Sequence, residues 1–100
     1  MMSDRELLVV TAKIVFKSEY RSLLDPEIRE VVRVSKLDPG CLQYDLHQSI
    51  EDPDVYFLYE TWESEDALAG HMVSPHVKAW QELTEDKIAD FELLKLVKLE

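Results

Sequence analysis

One hundred residues with 21 acidic and 11 basic side chains carry a formal net charge of −10, which excludes nucleic acid and anionic membrane as partners, since both are bound through clustered Lys and Arg. The length is that of one domain, residues 1–100, and a lone domain of this size buries a limited share of its surface, so a partner chain would help it. Two glycines and four prolines argue against disorder, and the single cysteine, Cys41, rules out an intrachain disulfide or thiolate metal cluster and fits a reducing cytoplasm.

The first residues, MMSDRELL, lack a basic region followed by a long apolar run, so they do not read as a secretory signal. No apolar stretch approaches the roughly 20 residues that span a bilayer. The expectation is a soluble cytoplasmic protein.

Leu7 to Phe16 alternates with a period of two and is rich in β-branched residues, the signature of a strand. Both of its faces are apolar, so it is expected to be covered on both sides. Ser18 is placed to cap a following helix, in which Tyr20, Leu24, Ile28, Val31 and Ser35 form a helical stripe widened by Leu23 and Val32. Asp25-Pro26-Glu27 reads as a cap followed by proline at a first helical position, which predicts a kink or restart there. Asp38-Pro39-Gly40 ends the helix.

Cys41 to Ser49 is a second strand, with Leu42, Tyr44 and Leu46 on one face and Gln43, Asp45 and His47 on the other. After the turn Glu51-Asp52-Pro53-Asp54, Val55 to Trp62 is a third strand, and so short a polar link makes the two a hairpin. Tyr56, Leu58, Glu60 and Trp62 share one side of it. Ser64 caps a short helix with Glu65 and Asp66 in its first turn, and Ala67, Leu68, His71 and Met72 fall on one face. Ser74-Pro75 opens another helix with a serine cap and proline at the first position, carrying Val77 and Trp80. Ala89 to Leu99 returns to a strand period with apolar residues on both faces.

Strand, helix, strand, strand, helix pair, strand is the order of an α+β, ferredoxin-like four-stranded antiparallel sheet with helices on one face. The uncovered face still carries large apolar side chains, so it is expected to meet a second copy of the chain in a homodimer.

The stretch from Glu60 to Trp80 concentrates the residues able to do chemistry. His71 is either a general base in a pocket or a buried histidine satisfied by a backbone carbonyl or by Glu60. His76 stands at a helix start, and His47 joins a polar trio that either lines a cavity or meets solvent. Trp62 ends a strand beside Glu60 and Tyr56 and is expected to form an aromatic pocket wall, whereas Trp80 is expected in the core. A metal site is not expected: His71 and His76 are five apart, on different faces of a helix, with Pro75 between them, and no H-E-x-x-H or cysteine pair is present.

Gly40-Cys41-Leu42-Gln43-Tyr44, Tyr59-Glu60-Thr61-Trp62-Glu63-Ser64, Ala67-Leu68-Ala69-Gly70-His71 and Ser74-Pro75-His76 together resemble the antibiotic biosynthesis monooxygenase family, over nearly the whole chain. The resemblance implies a homodimeric α+β barrel and, for some branches, oxygenation of a quinol- or anthrone-like aromatic by O₂ without metal, flavin or other cofactor. It implies His71, Glu60 and Trp62 as catalytic residues and Tyr44, His47, Tyr56, Leu58, Leu68 and His76 as substrate-binding ones. Trp62 matches the tryptophan of the anthrone oxygenases, but their asparagine and tyrosine are replaced by Leu58 and Leu68. The haem-degrading branch fits poorly, with Gln81 at the position of the axial histidine and no asparagine in the chain. A branch that isomerises a phosphorylated signalling sugar derivative resembles the Tyr59-Glu60 strand, His71 and Pro75-His76, and is the alternative. A non-catalytic small-molecule-binding dimer on the same fold is the third reading.

Overall fold

A computed structural model describes residues 7–100; the reading of the N-terminal residues as not a signal lies largely outside the described residues. The elements are β1 (Leu8–Phe16), a 3₁₀ turn (Ser18–Tyr20), α1 (Arg21–Ser35), β2 (Cys41–Gln48), β3 (Val55–Trp62), α2 (Glu65–Met72), α3 (Pro75–Thr84) and β4 (Ile88–Val97). The strands form one antiparallel sheet in the order β2-β3-β1-β4. This is the expected α+β ferredoxin-like arrangement, two split β-α-β units interleaved through the central pair β1 and β3. No helix among the described residues is long and apolar enough to cross a membrane.

The strand period decides what each face does. From β1, Val10, Ala12, Ile14 and Phe16 are buried beneath the helices, and from β3 so are Tyr56, Leu58, Glu60 and Trp62. These rows are in register, with Val10 opposite Glu60, Ala12 opposite Leu58 and Ile14 opposite Tyr56. The helices contribute Leu24, Ile28, Val32, Leu68 and Val77 to the same core. On the other face Phe57, Tyr59, Leu94 and Leu96 remain substantially exposed in the single chain.

Several local expectations differ from the structure. Ser18 does not cap α1; its hydroxyl donates to Asp54, whose other carboxylate oxygen takes Arg21 Nε at 2.9 Å. Pro26 lies inside an uninterrupted α1. Both it and Ser22 are on the exposed side, so the Ser22 carbonyl that the missing N–H of proline leaves free is on the solvent side of the helix. Asp25 therefore caps nothing and instead binds Arg29 Nε at 2.7 Å and the Tyr56 hydroxyl. Leu23 points outward rather than widening the stripe. Leu42 is also turned out, because the β2–β3 register shifts between Cys41 and Gln43 and the bulge breaks the alternation that puts Tyr44 inside.

The Ser64 cap is as expected, its Oγ accepting from Ala67 N at 3.1 Å. Ser74 holds the corresponding position before Pro75, but its Oγ donates to the His71 carbonyl at 2.6 Å instead of capping α3. Between α1 and β2 the chain turns at Gly40, whose φ of +80° is one that other residues resist. A Cβ built there would lie 2.5 Å from the Ala67 Cβ of α2. Gly40→Ala combines backbone strain with a steric clash, and a loss of about 3 kcal/mol in urea unfolding is expected; a loss under about 1 kcal/mol would show that the turn is not seated on α2 as described.

Candidate functional site

Between the sheet and the helices lies a cavity of about 330 Å³ with a mainly apolar lining, within the usual range for a small-molecule site. Its floor is the sheet, where Ala12 is flanked by Ile14, Leu58 and Leu93. The short side chain of Ala12, at the centre of the sheet, leaves the room that a larger residue would fill. Leu68 and His71 of α2 and Trp80 of α3 stand over it.

Two polar groups from adjacent strands reach this space. Tyr44 and Glu60 are paired across β2 and β3, so both point toward the helices. Glu60 is buried and accepts a hydrogen bond from Trp62 Nε1 at 2.9 Å. Burial pushes its carboxyl up to about 7, against the smaller opposing effect of the indole N–H. Among the described residues, no Lys or Arg lines the cavity.

His71, three residues after Leu68 on α2, is buried with Nδ1 2.7 Å from Asp38 Oδ2 and Nε2 3.4 Å from the Tyr44 hydroxyl. Burial lowers its pKa more than Asp38 restores it. In the neutral ring Nδ1–H donates to the Asp38 carboxylate, and Nε2 is left to accept from Tyr44. The Tyr44 hydroxyl is itself held protonated, chiefly by burial and further by the nearby Glu60. The Trp62 ring packs 4.7 Å from the His71 ring, centroid to centroid.

His76 also reaches Asp38 Oδ2, through Nε2 at 3.0 Å. The two histidines were not expected to meet, because helical spacing over five residues separates them. They lie on different helices, however, and the break at Val73–Ser74 between α2 and α3 turns their rings to 5.8 Å apart. Asp38 is the residue the sequence reading missed. Its signal was its place directly before Pro39-Gly40, which reads first as a helix stop.

Tyr44, Leu58, Glu60, Leu68 and His71 line the cavity. The tryptophans exchange their expected places. Trp62 is fully buried behind His71 and is not part of the lining, whereas Trp80 is only partly buried and is. The reason is register: Trp62 lies at the end of β3, opposite Leu8 of β1 and Cys41 of β2 and away from the central Ala12. His76 sits behind the cavity with Asp38. His47 is exposed on the helix-free face of the sheet, its Nδ1 3.3 Å from the Phe57 carbonyl oxygen. Tyr56 is tied to Asp25 and faces a separate open groove with Arg29 and His47. Cys41 is half-buried, and burial pushes its thiol up, away from a nucleophilic role.

A ferredoxin-like sheet with a mainly apolar cavity and a buried carboxyl beneath its helices defines an α+β protein of the ferredoxin-like class. Residues 7–83 match the family described as "Antibiotic biosynthesis monooxygenase", and the chain belongs to that family. It is 27% identical over 74 residues to "Putative monooxygenase YcnE" of Bacillus subtilis (strain 168), covering 74% of this chain and 78% of that protein. The crystal structure of PA3566 from Pseudomonas aeruginosa superposes with a TM-score of 0.91 at 27% identity, covering 99% of this chain and all of that one (100%). A crystal structure from Bacteriodes thetaiotaomicron VPI-5482 gives 0.90 at 25% identity, covering 98% and 94%.

The raised Glu60 pKa has a consequence for stability. Because the folded value of about 7 exceeds the ordinary 4.5, the protein gains stability from a protonated Glu60 below about pH 4.5 and loses it as pH rises toward 7. Glu60→Gln keeps the acceptor for Trp62 and removes the titration. The variant is expected to gain on the order of 2 kcal/mol over wild type between pH 5 and pH 8 in urea unfolding; parallel pH profiles for the two proteins would contradict the assignment.

Proposed function

We propose that the protein is a cofactor-independent monooxygenase that oxidises a quinol- or anthrone-like aromatic with O₂. The observation that carries this reading is Glu60: a carboxyl poised near neutrality inside an apolar cavity. Family membership and the monooxygenase name carried by the similar Bacillus protein point the same way. A flat ring fits between the sheet floor and Trp80. Glu60, once ionised, takes the acidic proton of the bound quinol or anthrone. The resulting electron-rich anion supplies the electrons itself, so O₂ can react with the ring carbon directly. For an anthrone methylene the balance closes with both hydrogens lost, one oxygen atom retained as the new carbonyl and the other released as water.

In this reading Tyr44 and His71 orient the substrate oxygen through the hydroxyl between them, and Leu58 and Leu68 exclude water. Trp62 acts through Glu60, by holding its carboxyl in place, rather than by touching the ring. The isomerase alternative needs a cationic group for a phosphate, and the lining has no Lys or Arg among the described residues.

Oxygen uptake with a panel of reduced quinols and anthrones, on chelator-treated protein, tests the reading. Substrate-dependent uptake is expected, with kcat/KM rising as Glu60 ionises near pH 7 and falling about 100-fold in Glu60→Gln. Uptake no faster than autoxidation across the panel would leave the non-catalytic binding reading in its place.

The same proposal includes a homodimer formed through the helix-free sheet face. Phe57, Tyr59, Leu94 and Leu96 lie exposed on that face, on β3 and β4 to either side of β1, and leaving them in water would be costly for a chain of this size. Light scattering at micromolar concentration is expected to give twice the chain mass of 11.7 kDa; a monomer mass would reject it.

A further inference from the structure

Asp38, His71 and His76 converge from three separate elements: the turn after α1, the last turn of α2 and the first turn of α3. One donor atom from each, Asp38 Oδ2, His71 Nδ1 and His76 Nε2, lies within 4.8 Å of the other two. We propose that these residues form a binding site for a divalent transition-metal ion of the zinc type, distinct from the Glu60 chemistry and placed behind the cavity on the far side of His71.

The donor set suits such an ion: two imidazole nitrogens and one carboxylate oxygen, the composition of three-ligand zinc and related sites. An ion that holds such donors at about 2.0–2.2 Å in tetrahedral geometry keeps them about 3.3–3.6 Å apart. Here Asp38 Oδ2 is 2.7 Å from His71 Nδ1 and 3.0 Å from His76 Nε2. The ion therefore requires Asp38 Oδ2 to part from each histidine nitrogen by less than about 1 Å, within the freedom of side-chain torsions. Asp38 and His76 keep 14% and 17% of their side-chain surface in solvent, which gives an entry path and room for a water ligand. Ser74 Oγ, 3.3 Å from His76 Nε2, is a further oxygen at the same place. Among the described residues, the ion pairs of Asp38 are to the two histidines and none is to a Lys or Arg, so a cation does not have to displace an existing one. The C-terminal end of α2 favours the ion and the N-terminus of α3 opposes it, and the two helix ends largely offset each other.

Binding has a defined chemical cost and consequence. Without the ion, His71 Nδ1–H and His76 Nε2–H donate to Asp38. With it, both nitrogens lose their protons and become ligands. The His71 proton then resides on Nε2, which donates to Tyr44 Oη instead of accepting from it. The ion would thus reverse the direction of the hydrogen bond that reaches the cavity without entering the cavity, since neither Asp38 nor His76 lines it.

Untagged, chelator-stripped protein titrated with Co²⁺ and Zn²⁺ tests the site, with visible absorption for Co²⁺ and calorimetry for Zn²⁺. One ion per chain is expected. His76→Gln and Asp38→Asn, each checked for native circular dichroism, are each expected to weaken binding at least about tenfold. His47→Gln, which changes the third histidine on the opposite face of the sheet, is expected to leave it unchanged. The ¹⁵N shifts of His71 are expected to move from an Nδ1–H to an Nε2–H tautomer on saturation. No saturable binding, or binding equally strong in His76→Gln and Asp38→Asn, would overturn the site and leave Asp38, His71 and His76 as a hydrogen-bonded network alone. Neither result depends on oxygenase activity.

Discussion

The close seating of the Asp38-Pro39-Gly40 turn on α2 is the constraint on which the site depends. Gly40 takes a left-handed conformation with no space for a Cβ against Ala67, and its carbonyl oxygen accepts from Glu63 N at 2.9 Å. The end of α1, the end of β3 and the start of α2 are therefore held together at one point. With Ala67 fixed there, Leu68 one residue on and His71 one turn on are carried over the sheet. The same turn delivers Asp38 to His71, so a backbone requirement at one glycine sets the geometry of a side-chain network two residues away.

The sheet beneath does two jobs with one periodicity. Its helix-side residues build a core around Trp62, Tyr56 and Phe16, yet leave a gap where Ala12 sits among larger neighbours. A leucine at that position would complete an ordinary core. The short side chain gives up packing energy, and the space it opens is the one into which Glu60 and Tyr44 point. On the opposite side the same alternation leaves an apolar face that neither α1, α2 nor α3 covers.

How much of this was legible follows from which signals are local. β3 and the start of α2 were read with their observed bounds, because strict alternation and a serine cap followed by acidic residues are local and strong. Glu60 and His71 were placed as facing residues by period alone. The periodicity argument failed where the chain breaks its own period. The bulge after Cys41 turned Leu42 outward. The break at Val73–Ser74 brought His71 and His76 together although a continuous helix would have separated them. The exchange between Trp62 and Trp80 was not readable either, since it depends on how far along β3 the gap above Ala12 lies. Asp38 was hidden by a stronger local meaning, that of a helix stop.

The structure also separates two carboxylates that composition alone would treat alike. Asp38 receives N–H groups from two histidines and lies at the protein edge. Glu60 receives a single indole N–H, is buried among apolar side chains, and has no cation beside it among the described residues. A carboxyl given a single neutral donor in an apolar pocket, as Glu60 is, is driven toward its neutral form. His71 and Trp62 form the partition between them, one presenting Nδ1 to Asp38 and the other its Nε1–H to Glu60, with their ring centroids 4.7 Å apart and the rings tilted by 40°. In the proposed reading, proton transfer with a bound ligand falls to Glu60, while Asp38 reaches the cavity through the tautomer of His71. A change at Asp38 is thus felt first as a reorientation of the Tyr44 hydroxyl and not as a change of charge inside the cavity.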